Sequence, residues 1–67
     1  MKIGEKLKEL RKERGLKQTE IAEKLNVKQG TYSDYERNKH EPSLDTLVLI
    51  ADEYNVSTDY ILGRYDK

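Results

Sequence analysis

Residues 28–34 bring an ammonium, an amide, a hydroxyl and a carboxylate into one short run: Lys28, Gln29, Ser33 and Asp34. These groups donate and accept hydrogen bonds, but none is an activated nucleophile. The chain has no cysteine, which removes thiolate nucleophiles, disulfides and thiolate metal sites. Its single histidine, His40, cannot assemble a zinc site by itself. No glycine-rich phosphate loop is present, and the carboxylates are scattered over positions that helical periodicity turns to solvent. Enzymatic chemistry, a cofactor and a metal are therefore not expected. The chemistry on offer is recognition through polar side chains.

The charge distribution suggests what is recognised. Formal net charge is zero, yet residues 1–40 carry 11 Lys/Arg against 7 Asp/Glu, a net of +4, while residues 41–67 carry 2 against 6, a net of −4. The first part suits a polyanion, although basic patches on solvated surfaces are common. At 67 residues the chain is read as one domain, residues 1–63, with a short tail at 64–67. A chain of this size buries only about 60% of the surface its unfolded form exposes, so modest stability is expected. The longest apolar run, Leu47-Val48-Leu49-Ile50-Ala51, is far short of the roughly 20 residues a membrane span needs. The N-terminus MKIGEKLKEL has no apolar secretory core, so the cytoplasm is the default location.

Periodicity and punctuation predict an all-α fold of five helices, at about 2–14, 18–25, 29–37, 43–54 and 57–62. Ile3, Leu7 and Leu10 make one stripe on the first, and Gly15 supplies its stop. Ile21, Ala22 and Leu25 form the buried face of the second. Tyr32 and Tyr35 lie on the inner side of the third. Leu44, Leu47, Ile50, Ala51 and Tyr54 keep helical spacing on the fourth, for which Ser43 is the expected cap after Pro42. Ser57 or Thr58 caps the fifth, which holds Tyr60, Ile61 and Leu62 before Gly63. Asn26 and Asn38 are candidates for left-handed backbone. Val27 and Val56 plug the core from the connections.

The decisive segment is QTEIAEKLNVKQGTYSDYERN, residues 18–38. It holds two short helices joined by a tight turn. Ala22 is the small residue that lets the second helix cross the first, and Asn26, four positions on, turns the chain. Ile21, Leu25, Val27, Tyr32 and Tyr35 fill the inside. This pattern is that of a helix-turn-helix, which props its second helix outward so that its N-terminal residues can enter a major groove.

LKELRKERGLKQTEIAEKLNV, together with YERNKHEPSLDTLVLIADEYNVSTDYILG, resembles the phage-repressor or Cro-like helix-turn-helix family, also called the XRE family of bacterial regulators. The resemblance covers nearly all of the chain. It implies a five-helix lambda-repressor-like fold, double-stranded operator DNA as ligand, and a homodimer on a palindromic site. The chain departs from the family in having Asn26 and Asn38 where glycine is usual, and Lys28 where a serine or threonine usually caps the third helix. Asparagine is the next-best residue for that backbone. Lys28 weakens the cap and places a cation at the DNA-facing edge.

Gln29 is the first candidate for base readout, because its amide can pair bidentately with adenine N6 and N7. Lys28 can reach a guanine or a phosphate. Gly30 either admits the bases close to the backbone or merely softens the first turn. Ser33 can donate or accept; Asp34 can accept from cytosine N4, exclude wrong sequences by its charge, or turn into a salt bridge. The resemblance implies a phosphate grip by Gln18, with Lys17, Thr31, Arg37 and Lys39 at matching phosphate-facing positions. It also implies a structural ion pair between Arg11 and Glu36. Tyr32, Tyr35, Tyr54 and Tyr60 match core positions better than stacking positions, and His40 reads as a solvent-facing loop residue. Leu49, opposite Leu47, is either an ordinary exposed leucine or a dimer contact, in the company of Leu62 and Tyr65. A protein-interaction module of antitoxin or adaptor type on the same scaffold is the alternative function, since fold alone does not decide between them.

Overall fold

The computed structural model of the chain describes residues 2–64. Among these it contains five helices and no strand: α1 (Gly4–Glu13), α2 (Gln18–Leu25), α3 (Gln29–Glu36), α4 (Leu44–Tyr54) and α5 (Thr58–Ile61). The expected order and number of elements hold. Four of the helices are shorter than expected by one to three residues, because their flanking residues serve as caps: Ile3 and Arg14 flank α1, Arg37 ends α3, Ser43 opens α4, and Ser57 and Leu62 bracket α5.

Local chemistry sets these boundaries. Ser43 Oγ accepts from the Thr46 N–H at 3.1 Å, and Ser57 Oγ accepts from the Tyr60 N–H at 3.0 Å. Each hydroxyl satisfies one of the amides that a helix start leaves without a partner. α2 and α3 start differently, on Lys17 and Lys28, with no side-chain cap from either lysine. Glu20 reaches back to the Lys17 backbone N–H at 2.7 Å, which supplies half of a capping box. The left-handed residues fall where expected, at Asn26 (φ 60°) and Asn38 (φ 59°); Asn55 (φ 56°) is a third, ending α4.

One core joins the helices. Ile3, Leu7 and Leu10 from α1 and its cap meet Ile21, Ala22 and Leu25 of α2, Tyr32 and Tyr35 of α3, Leu47, Ile50, Ala51 and Tyr54 of α4, and Ile61 of α5. Val27, Val56, Tyr60 and Leu16 pack against it from its rim. The buried phenols of Tyr32 and Tyr54 bond to each other, Oη to Oη at 2.7 Å, so that each polar tip has a partner inside the core. Burial pushes the Tyr32 hydroxyl well above its ordinary titration range. Tyr60 lies at the edge, with Lys6 Nζ 4.5 Å from its ring centre.

Leu44 keeps the helical spacing of α4 but is 78% exposed. It is the first residue of that helix, and side chains lean toward a helix N-terminus. Leu44 therefore projects past the end of the core, where Pro42 is buried instead.

Candidate nucleic-acid interface

The α2–α3 pair is the helix-turn-helix unit. Asn26 in left-handed backbone reverses the chain after α2, and Val27 packs beneath the turn. α3 then lies on α2 and α1, with Tyr32 and Tyr35 inward. That orientation turns the opposite side of α3 to solvent. Lys28, Gln29 and Gly30 are exposed at its start, and Thr31, Ser33 and Asp34 are half-exposed on the following turns. Arg37 and Lys39 are exposed beyond its end, as is Lys17 before α2. The surface on which the functional reading depends is thus open.

A chain of polar contacts ties this open face to the interior. Arg11 Nε donates to Glu36 Oε2 at 2.7 Å, and a second guanidinium nitrogen reaches Glu36 Oε1 at 3.2 Å. A third donates to the Leu16 carbonyl at 3.0 Å. Gln18 Nε2 donates to Glu36 Oε1 at 3.0 Å, and Gln29 Nε2 donates to Gln18 Oε1 at 2.8 Å. Residues from α1, α2 and both ends of α3 therefore form one connected network. The Glu36 side chain is only 3% exposed, so its charge is sustained by these partners. Burial pushes its carboxyl up, but hydrogen bonds from Arg11, Gln18 and Tyr32 outweigh that and hold it below the ordinary carboxylate range. The hydrogen bond to Glu36 likewise raises Arg11 above its usual value.

The other expected contacts are arranged more simply. Arg37 donates to Asp34 Oδ1 at 2.5 Å, one turn apart on α3, so that the aspartate turns sideways into a salt bridge. A Cβ built at Gly30 meets nothing within 4 Å, and no packing inside the protein requires a glycine there. His40 is exposed, with its ring stacked on Tyr35 at 6.0 Å between centroids. Leu49 is 48% and Leu62 37% exposed on the α4–α5 side; Val48, not singled out from the sequence, is 50% exposed next to Leu49 in the chain. Tyr65 lies outside the described residues.

Sequence reasoning missed Gly4. Its N–H donates to Asn38 Oδ1 at 2.9 Å, and a Cβ there would overlap the Glu36 carbonyl. Only glycine lets the start of α1 seat directly on the end of α3, so Gly4 helps to set the angle of the exposed helix. The signal in the sequence was slight: one glycine where a helix former would have been the easier choice.

Comparison with known proteins agrees with this geometry. Residues 7–61 match a family model described as helix-turn-helix. The chain is 48% identical over 64 residues to the HTH-type transcriptional regulator ImmR of Bacillus subtilis (strain 168), covering 96% of this chain and 50% of the relative. It is 38% identical over 64 residues to the immunity repressor protein of Bacillus phage phi105, covering 96% of this chain and 44% of that protein. A crystal structure of a transcriptional regulator from Listeria innocua superimposes with a TM-score of 0.87 at 34% identity, covering 97% of this chain and 61% of that one. The chain spans about half the length of these two relatives. Among the described residues no helix is long and apolar enough to cross a membrane, and no group of three or more metal-ligating side chains occurs.

Proposed function

The chain belongs to the helix-turn-helix family matched over residues 7–61, and from that membership we propose that it binds double-stranded DNA sequence-specifically as a bacterial or phage-type transcriptional repressor in the cytoplasm. The observation that carries the proposal is the placement of Gln29. It stands exposed at the first position of α3, with its amide held by Gln18 and, through Gln18, by the buried Glu36. A side chain on a mobile surface reads nothing well; one whose rotamer is set from beneath can meet a base edge without first losing its freedom.

In this reading α3 enters the major groove. Gln29 pairs with adenine N6 and N7, and Ser33 meets the next base step. The open space at Gly30 admits the edge of a base close to the helix backbone. Lys28, Lys17, Thr31 and Lys39 surround that face and contact phosphates. The second Gln18 N–H, not used by Glu36, is available to a phosphate at the start of α2. Asp34 acts mainly through Arg37, holding the guanidinium toward the backbone and offsetting its own repulsion of phosphates. Two copies bind a palindromic operator, with the exposed α4–α5 side, including Leu49 and Leu62, facing the second copy.

Selection from random duplexes tests the proposal. The expected result is an enriched motif of two inverted half-sites whose centres are about 34–36 Å apart. Its binding should weaken steeply with salt as counterions are released. Recovery of bound DNA with no motif would contradict it and favour the protein-interaction alternative.

A further inference from the structure

The polar chain from Glu36 to Gln29 has a direction, and the direction is set at its buried end. An ionised carboxylate has acceptors and no donor. Glu36 Oε1 therefore faces the NH2 group of Gln18, at 3.0 Å, and not its oxygen. With its NH2 turned inward, Gln18 presents its carbonyl oxygen to Gln29, whose Nε2 donates to it at 2.8 Å. One N–H of Gln29 is engaged there. What Gln29 has left to offer a ligand is one N–H beside its carbonyl oxygen.

That leftover edge is selective. In the major groove adenine shows the N7 acceptor beside the N6 donor, whereas guanine shows two acceptors, N7 and O6. A donor beside an acceptor complements adenine and opposes its own oxygen to guanine O6. A glutamine free to turn its amide over can instead present both N–H groups and accept guanine. We infer that Glu36 is a positioning residue for base readout: acting through Gln18, it fixes the donor–acceptor order of the Gln29 amide and thereby selects adenine over guanine. The inference rests on the proposed base contact of Gln29 and assigns to the buried ion pair a part in specificity as well as in folding. The hydrogen bonds from Arg11 and Gln18 that keep the carboxylate ionised are the same ones that orient the chain. Among the described residues no other side chain bonds to Gln29, so nothing else resists the turn of its amide.

The test is competitive binding at fixed salt to four duplexes that differ only at the base pair whose preference is lost in Gln29→Ala. The full chain should prefer adenine there. Glu36→Gln replaces the carboxylate with an amide that keeps its oxygen on Arg11 Nε, gives up the longer 3.2 Å contact from Arg11 and turns its NH2 to Gln18, reversing the order along the chain. The adenine-to-guanine preference should fall by about tenfold or invert, with other positions unchanged. Gln18→Met leaves Arg11 and Glu36 paired and removes the link; it also removes the proposed phosphate contact, which lowers affinity for all four duplexes alike. It should lower the same ratio while the melting temperature stays close to that of the parent, which guards against a Glu36→Gln variant that does not fold. In the Gln29→Ala background Gln18→Met should leave the ratio unchanged. An equal loss of affinity for all four duplexes, with the adenine preference retained in Gln18→Met, would overturn the inference while leaving Gln29 as the reader. A parent protein with no preference at any position would overturn the reading of α3 and this inference together.

Discussion

The α2–α3 pair and the α4–α5 pair solve the same folding problem with different chemistry. α4 and α5 each begin on a serine whose hydroxyl takes an amide of the first turn. Between them and the core the links are chiefly apolar, through Leu47, Ile50, Ala51, Tyr54 and Ile61. α2 and α3 begin on lysines that contribute no side-chain cap. Their position is fixed partly by charge and amides, in the network of Arg11, Glu36, Gln18 and Gln29. The contrast matches the proposed division between DNA-facing and supporting helices. Where helix starts are satisfied from within, as in α4 and α5, their first-turn amides are not offered to an anion. Where they are left open beside a cation, they remain available to an anion, and the buried polar links keep the exposed face in one arrangement.

Breaking the polar network should have the largest effect. Arg11→Ala leaves the Glu36 carboxylate buried without its main partner, which should cost about 3–5 kcal/mol of stability in thermal or chemical unfolding. The same dependence gives a sign in pH. Arg11, Gln18 and Tyr32 face Glu36 and hold its carboxyl below the ordinary value of 4.5. The stability this group contributes should be fully present above that value and lost as pH falls through its lower folded value. In Glu36→Gln this part of the acid sensitivity should be absent, as measured by melting temperature across the acid range. An unchanged acid profile would remove the network from the account.

Two glycines sharpen the comparison. Gly4→Ala forces a Cβ into the Glu36 carbonyl and should destabilise by about 1–3 kcal/mol, because the backbone of α1 or α3 must shift. Gly30→Ala meets open space, and alanine is the better helix former by about 1 kcal/mol. It should raise the melting temperature and lower DNA affinity. Stabilisation with affinity intact would show that the bases do not approach that turn.

The caps give the smallest effects. Ser43→Ala removes the bond to the Thr46 N–H and should cost about 1 kcal/mol with no change in relative affinity among duplexes. Lys28→Ser supplies the missing cap of α3 and should stabilise by about 0.5–1 kcal/mol while weakening DNA binding through the loss of a cation. A gain in both would place Lys28 outside the interface.

The helices were legible in the sequence because their signals are local. Ile3, Leu7 and Leu10 repeat at helical spacing, Ser43 and Ser57 precede first turns, and Asn26 and Asn38 are of a residue type that tolerates the left-handed backbone they adopt. The candidates on α3 were legible as types at positions, since an inward Tyr32 and Tyr35 fix which residues face outward. The connections between them were not. Gln18 and Gln29 are 11 residues apart and Gln18 and Glu36 are 18 apart, and no pattern along the chain states that their amides and carboxylate meet. Gly4 was opaque for the same reason, because the backbone it must admit lies across the fold. Leu44 shares the spacing of the buried residues of α4 yet lies exposed, because spacing alone does not show where the core ends along a helix axis.

The central claim is that Gln29 reads a base from the open face of α3. Equilibrium competition between the selected operator and a set of its single-base variants, with the parent chain and with Gln29→Ala, tests it most directly. Gln29→Ala should lose discrimination at one base step in each half-site and keep it elsewhere. Full discrimination at every step in Gln29→Ala would contradict it.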